Sequence, residues 1–216
     1  MVPMSTPETT VVLHVDPACP WAWLTSRWLA EVEKVRPVRV ETRLLDLAEI
    51  NRESDQSNET MQRSHSAGER ALRVLVMVRR EQGDDAMARA YAEVGEAWHE
   101  RAEPLGELPT LRGALQRAGL DPSLADRALA DDSTYEELLE LHRDACSADC
   151  FGVPSLSIDG GPSIFGPIVD RRVTGEEAGE VWDHVAWLIR RGFFFELKRE
   201  RKGKAQIGRY RAQTAA

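Results

Sequence analysis

Cysteine is scarce in this 216-residue chain: there are three, an odd number that argues against a disulfide framework. Packing, catalysis or metal binding remain as their uses. Long apolar runs are missing too, and nothing approaches the ~18 residues that would suggest a membrane span. The opening MVPMSTPETT has neither a basic n-region nor an apolar h-region, so no secretory signal is read there and a cytoplasmic protein is expected. P-loop, GxGxxG-after-a-strand, HExxH and GxSxG motifs are all absent, which removes the commonest nucleotide-binding, zinc-protease and serine-hydrolase readings. Positive charge is in deficit, with a net charge of −8, which speaks against nucleic acid as a partner. The deficit is uneven. Residues 190–211 hold nine Lys/Arg against Glu196 and Glu200, a local +7, so residues 1–189 carry −15. The basic tail KRERKGKAQIGRYR reads as a solvated terminus, with an anion or an acidic partner face as its alternative use.

What is present is a hydrophobic content of 42% beside 30% charged residues, the balance of a globular domain. VVLHV, residues 11–15, is a short β-branched run suited to a buried strand, ended by Asp16-Pro17. Trp21, Leu24, Trp28, Val32 and Val35 then recur at steps of three and four, one face of a helix that Pro37 stops. VRVETRLLDL, residues 38–47, suggests a second strand. From Asn51 to Asp149 the periodicity is helical throughout, with stretches around Ala71–Val78, Met87–Trp98 and Leu108–Ala118. Asp121-Pro122 reads as an N-cap with proline at the first helical position, and Ser133 with Glu136 as a capping box. SLSID and PSIF flank Asp159-Gly160-Gly161, a hairpin signal. A second capping box, Thr174 with Glu177, opens an amphipathic last helix through Ala178, Trp182 and Ile189. The order is β-α-β, a block of helices, a β-hairpin and a helix.

Within DPACPWAWLTSRW, residues 16–28, Cys19 falls at the first strand-to-helix turn. A thiol attacks only as thiolate, and the unpaired N–H groups and partial positive charge of a helix N-terminus favour that form. Pro20 suits the first turn, where its missing N–H costs nothing. A Cys19 pKa below the free value of about 8.5 is therefore expected. Three positions on, where a dithiol motif places a second cysteine, stands Ala22. His142, Cys146 and Cys150 are spaced H-x3-C-x3-C, on one face if the helix runs through them. A fourth zinc ligand is not evident, and helix-face packing is the favoured reading, with Cys150 a minor candidate for resolving Cys19.

The element order, the CPW tripeptide and GVP together resemble the DsbA-like branch of the thioredoxin superfamily. DPACPWAWLTSRWLAEV, GVPSLSIDG, FGPIVDRRVTGEEAGEVWD and FFELKRER are similar to segments of the actinobacterial mycothiol-dependent reductases, a group also called nitroreductases. The resemblance covers nearly the whole chain. It implies an α/β thioredoxin-like fold from residues 1–52 and 151–216, interrupted by an all-helical insertion at 53–150. Cys19 matches the nucleophile, and Val153-Pro154 matches the loop whose cis-proline faces it. Pro20, Trp21, Ala22, Asn51 and His99 match positions around the family's thiol-binding cleft. The same residues have plain structural uses: Trp21 in the core, Asn51 as a helix cap, His99 on the surface.

The resemblance also implies a thiol-dependent oxidoreductase with no tightly bound cofactor and no metal. Its co-substrate would be a low-molecular-weight thiol such as mycothiol, its substrate a mixed disulfide or a small electrophile, and its state a monomer or homodimer. Ala22 is the departure from the family's pattern, because without a resolving cysteine Cys19 forms no internal disulfide. A monothiol cycle survives this change. So does activation of a bound thiol, as in the kappa-type transferases and chromene-carboxylate isomerases of similar architecture. A non-catalytic binding protein is the third reading.

Overall fold

The computed structural model describes residues 8–53 and 59–208. The amino-terminal reading rests mainly on residues 1–7, and the tail's last arginines fall within 209–216; both lie outside the described residues.

Strand β1 (Thr9–Val15) buries Val11, Leu13 and Val15 completely, as its β-branched composition demands. Helix α1 (Pro20–Val35) returns along the sheet to β2 (Val38–Leu44), which pairs parallel with β1 in the register Val11↔Val40 and Val15↔Leu44. Among the described residues six α-helices follow: α2 (Leu47–Ile50), α3 (Glu59–Gln82), α4 (Asp84–Gly95), α5 (Leu108–Arg117), α6 (Ser123–Ala130) and α7 (Ser133–Ser147). The chain then re-enters the sheet as the antiparallel hairpin β3 (Ser155–Ile158) and β4 (Ile164–Phe165), and α8 (Gly175–Ile189) closes the layer. The strand order is β2-β1-β3-β4, with β3 antiparallel to β1. Among the described residues no helix is long and apolar enough to cross a membrane.

Helix α1 is the axle. Trp23, Leu24, Trp28, Leu29 and Val32 are buried, whereas Trp21 and Val35 are only partly covered, so the apolar face is rotated from the one the spacing suggests. Trp28 packs on Trp182 of α8 and donates its indole N–H to the Ala178 carbonyl at 3.1 Å. Thr25 Oγ1 donates to Pro167 O at 2.9 Å, which ties the loop after β4 to the same helix.

The capping expectations are corrected in part. Helix α7 starts at Ser133 itself, and its entry is held by the Asp131 carboxylate, which accepts from Ser133 N at 3.0 Å. At α6 the Asp121 carboxylate accepts from Ser123 N at 2.8 Å, while Pro122 lies one position ahead of the first helical residue. At α7 an aspartate two residues upstream takes the role expected of Ser133, whereas at α6 Asp121 accepts as expected and only the proline falls one position short. Thr174 does cap α8, but without a side-chain bond, and Glu177 pairs with Arg171 instead.

The chain leaves α4 through a π-helical turn, Glu96–Glu100, closed by Arg101 N donating to Glu96 O at 3.0 Å. A five-residue step from Val94 brings His99 inward and leaves Trp98 at the edge; straight α-continuation would have buried Trp98. The turn fits because Gly95 has no side chain: a Cβ there would lie 2.3 Å from Cε3 of Trp23. Gly95→Ala should therefore destabilise the fold by about 1–3 kcal/mol, since the indole must leave its rotamer. Urea unfolding reads this, and an unchanged midpoint would refute the contact.

Candidate active site

Cys19 is the N-cap of α1. Its backbone is extended (φ −83°, ψ 113°), and its Sγ accepts from Ala22 N at 3.4 Å. The same sulfur donates to the Val153 carbonyl at 3.6 Å, so the GVP loop meets the thiol across 134 residues of chain. The Val153–Pro154 peptide is cis. Pro20 occupies the first helical turn, where no N–H is missed.

The electrostatics depart from the sequence expectation. Cys19 is only 8% exposed, and burial pushes its thiol up to about 11, although the N–H groups of Ala22 and Trp21 pull the other way. Desolvation of the charged form outweighs the helix mouth. Asp16 adds to the rise through its negative charge, while Arg201 lowers it. Asp16 is itself fully buried. Its Oδ1 accepts from Ala18 N at 2.7 Å and its Oδ2 from Leu47 N at 2.9 Å, yet burial lifts its pKa to about 7. Helix α3 closes over it, because a Cβ at Gly68 would stand 2.8 Å from Asp16 Oδ1.

The remaining predicted residues gather unevenly. His99 is fully buried, not on the surface, and its Nε2 lies 2.9 Å from the Pro17 carbonyl, two residues before Cys19. Its ring stacks on Trp23, with centroids 5.8 Å apart. Trp21 is half-buried beside the cysteine, with the Arg201 guanidinium 5.3 Å from its ring centroid. Ala22 is fully buried, so a methyl group fills the second-cysteine position. Asn51 is tied in at one remove: it caps the end of α2, donating Nδ2–H to Leu47 O at 2.9 Å, and Leu47 N is bound to Asp16. The hollows of about 370 and 310 Å³ on the surface are lined by other residues, among them Arg79, Leu141 and Asp144.

The other thiols have separate surroundings. Helix α7 ends at Ser147, so Cys150 lies beyond its cap and does not share a helix face with His142 and Cys146. Cys146 is exposed, with its Sγ 3.4 Å from His142 Nε2. Cys150 is buried, 3.4 Å from His14 Nδ1 and 3.4 Å from Ser163 Oγ. All three cysteines are free, and among the described residues no three His, Cys, Asp or Glu side chains are grouped to hold a metal ion.

Four site residues escape a reading of the sequence: Asp16, Trp23, Glu100 and Arg201. Glu100 Oε1 accepts from Trp23 Nε1 at 3.2 Å and from Arg172 at 2.9 Å, which fixes the Trp23 indole on which His99 stacks. In sequence Asp16 reads as a strand end and Arg201 as part of a solvated tail. The Asp-Pro-x-Cys spacing is the available signal for the first.

A thiol at the N-cap of the first helix, met by the loop before β3, inside a β-α-β and ββα frame carrying a run of helices, defines a DsbA-like thioredoxin-fold protein. Among solved structures with this fold, 2-hydroxychromene-2-carboxylate isomerase superposes with a TM-score of 0.57 at 16% identity, over 84% of this chain and 95% of the other. The cytosolic disulfide reductase DsbM of Pseudomonas aeruginosa, solved with GSH, gives 0.53 at 16% identity over 83% and 96%. The family model described as Rv2466c-like, mycothiol-dependent nitroreductase Rv2466c, matches residues 18–199, and the chain belongs to this family. Membership makes it an enzyme of the thiol–disulfide oxidoreductase class. The uncharacterized protein Rv2286c of Mycobacterium tuberculosis (strain ATCC 25618 / H37Rv) is 29% identical over 191 residues, 88% of this chain and 82% of the relative.

Proposed function

We propose that the chain is a monothiol oxidoreductase that works through Cys19 with a low-molecular-weight thiol, mycothiol by the family's description, in the cytoplasm. The observation that carries this reading is the pairing of Cys19 Sγ with both Ala22 N and the Val153 carbonyl, which leaves a single sulfur where chain and loop meet. The Cys19 thiolate attacks one sulfur of a mixed disulfide R–S–S–R′, forming Cys19–S–S–R and releasing R′–S⁻. With R the low-molecular-weight thiol, a free thiolate R–S⁻ then attacks the R sulfur of Cys19–S–S–R, giving R–S–S–R and restoring the Cys19 thiolate. In sum one small thiol is oxidised into R–S–S–R and R′ leaves reduced as its thiolate, so no internal partner is needed and Ala22 suffices. Trp21, Pro154 and Asn51 would line the small thiol's path, between a thioredoxin lobe (1–52 and 151–216) and a helical lobe (53–150), with His99, buried against the Pro17 carbonyl, fixing the turn that carries Cys19.

Incubation with oxidised mycothiol should give a single covalent adduct by intact mass, mapped by peptide mass spectrometry to Cys19 and discharged by excess mycothiol. An adduct confined to Cys146, the exposed thiol, or no adduct at all, would reject the reading.

A second reading has one observation in its favour. A thiol pushed up to about 11 is a poor nucleophile at neutral pH, which suits activation of a bound thiol instead. The isomerase of the same fold would be the parallel.

A further inference from the structure

Beyond α8 the chain does not simply trail away. Residues 192–204 run as largely exposed coil carrying Lys198, Arg199, Arg201, Lys202 and Lys204 against Glu196 and Glu200, and then the chain is pinned. Gln206 N donates to Asp170 O at 2.7 Å, Ala205 and Ile207 are buried, and Gly208 N donates to Glu100 Oε2 at 2.9 Å. A Cβ at Gly208 would lie 2.5 Å from the Glu100 carbonyl, so the strap closes against the backbone of the π-helical turn. Glu100 thereby holds the strap with one oxygen and Trp23 with the other. Between α8 and this clamp, Arg201 lies over the Trp21 ring, two residues from Cys19 in sequence.

We propose that the carboxy-terminal strap delivers Arg201 as a positioning residue of the active site, its guanidinium held on Trp21 so that its charge favours the Cys19 thiolate. The proposal rests on Cys19 being the reacting thiol and adds the cation that serves it. The titratable groups acting on or coupled to Cys19 are Asp16 from the β1–α1 loop, Tyr91 from α4 and Arg201 from the strap, while His99 at the π-helical turn is held on the Pro17 carbonyl two residues away. Of the charged groups acting on the thiol, Asp16 opposes ionisation and Arg201 favours it. A cation stacked on an aromatic face keeps its charge while being held in place, the arrangement needed where the helix mouth alone does not overcome burial.

The test is the pH profile of Cys19 alkylation by iodoacetamide, a neutral reagent, in the full chain with the label located by mass spectrometry. Arg201→Met keeps the stem over Trp21 and removes the charge. It should slow alkylation at pH 8 about three- to tenfold at low ionic strength and move the midpoint upward. Arg201→Lys should restore most of the rate, and 0.5 M salt should slow the parent protein towards Arg201→Met while leaving that variant unchanged. Gly208→Ala, which loosens the clamp without touching Arg201, should act in the same direction. An Arg201→Met profile coincident with the parent overturns the proposal. So does faster alkylation with an unmoved midpoint, which would make the strap a shield only. Failure of the monothiol reading shows elsewhere, as an absent Cys19 adduct with oxidised mycothiol, and is not confused with either result.

Discussion

Cys19→Ser is expected to abolish thiol–disulfide exchange, by at least ~10³-fold, while the protein stays folded. The two halves of that expectation come from one position. A serine hydroxyl neither ionises near neutral pH nor forms a disulfide, so both steps of the monothiol cycle are lost. As an N-cap, however, serine is among the preferred residues, and Cys19 accepts from Ala22 N over a long 3.4 Å. A hydroxyl oxygen in place of Sγ should hold that N–H at least as well, leaving stability within about 0.5–1 kcal/mol of the parent. Urea unfolding and steady-state exchange on the same preparation read both. If a third or more of the activity persists, the nucleophile is a bound thiol and the transferase-like reading takes over. If activity and stability collapse together, the variant is uninformative about chemistry, and Cys19→Ala judged by adduct formation decides.

Much of this site is visible in the chain before any coordinate. VVLHV followed by Asp16-Pro17 and a helical face gives strand, turn and helix, and so places Cys19 at the turn. The hairpin at Asp159-Gly160 follows from its glycines and short apolar runs, and Gly160 does adopt a positive φ of 73°. What is not legible depends on contacts between distant segments. The pKa of Cys19 reverses direction because burial is a property of the assembled core, with Val153 arriving 134 residues later, whereas the helix-mouth argument is local. His99 is inside because the π-helical turn inserts one residue into an otherwise α-periodic run, and no amino-acid preference marks such a turn. Arg201 sits in a tail whose composition is that of a solvated terminus; only the buried Ile207 and the Gly208–Glu100 bond show where it is held. Asn51 fits its plain reading as a helix cap and also sits one short helix from Asp16, so its sequence signal does not separate the two roles.

Asp16→Asn should stabilise the fold above neutral pH and lose that advantage in acid. The carboxyl of Asp16 is raised from its ordinary 3.8 to about 7 in the folded protein. Between those values the folded state binds the proton that the unfolded chain has released, so stability falls as pH rises from ~4 to ~7 and is level beyond. The full penalty is on the order of 4 kcal/mol at pH 8. Asparagine removes the charge but sets an amide N–H₂ against one of the two backbone donors, Ala18 N or Leu47 N, at a cost of about 1–3 kcal/mol. The net gain at pH 8 is then about 1–3 kcal/mol, and at pH 5, where Asp16 is already largely protonated, it should vanish or change sign. Urea unfolding at the two pH values checks this, and an equal difference at both would mean that Asp16 is not held neutral by burial. The same substitution has a second readout. Because the Asp16 carboxylate opposes Cys19 ionisation, Asp16→Asn should move Cys19 alkylation to lower pH, the direction opposite to Arg201→Met. A stability gain without that move would separate the buried acid from the thiol chemistry and leave the strap arginine as the charge that governs Cys19.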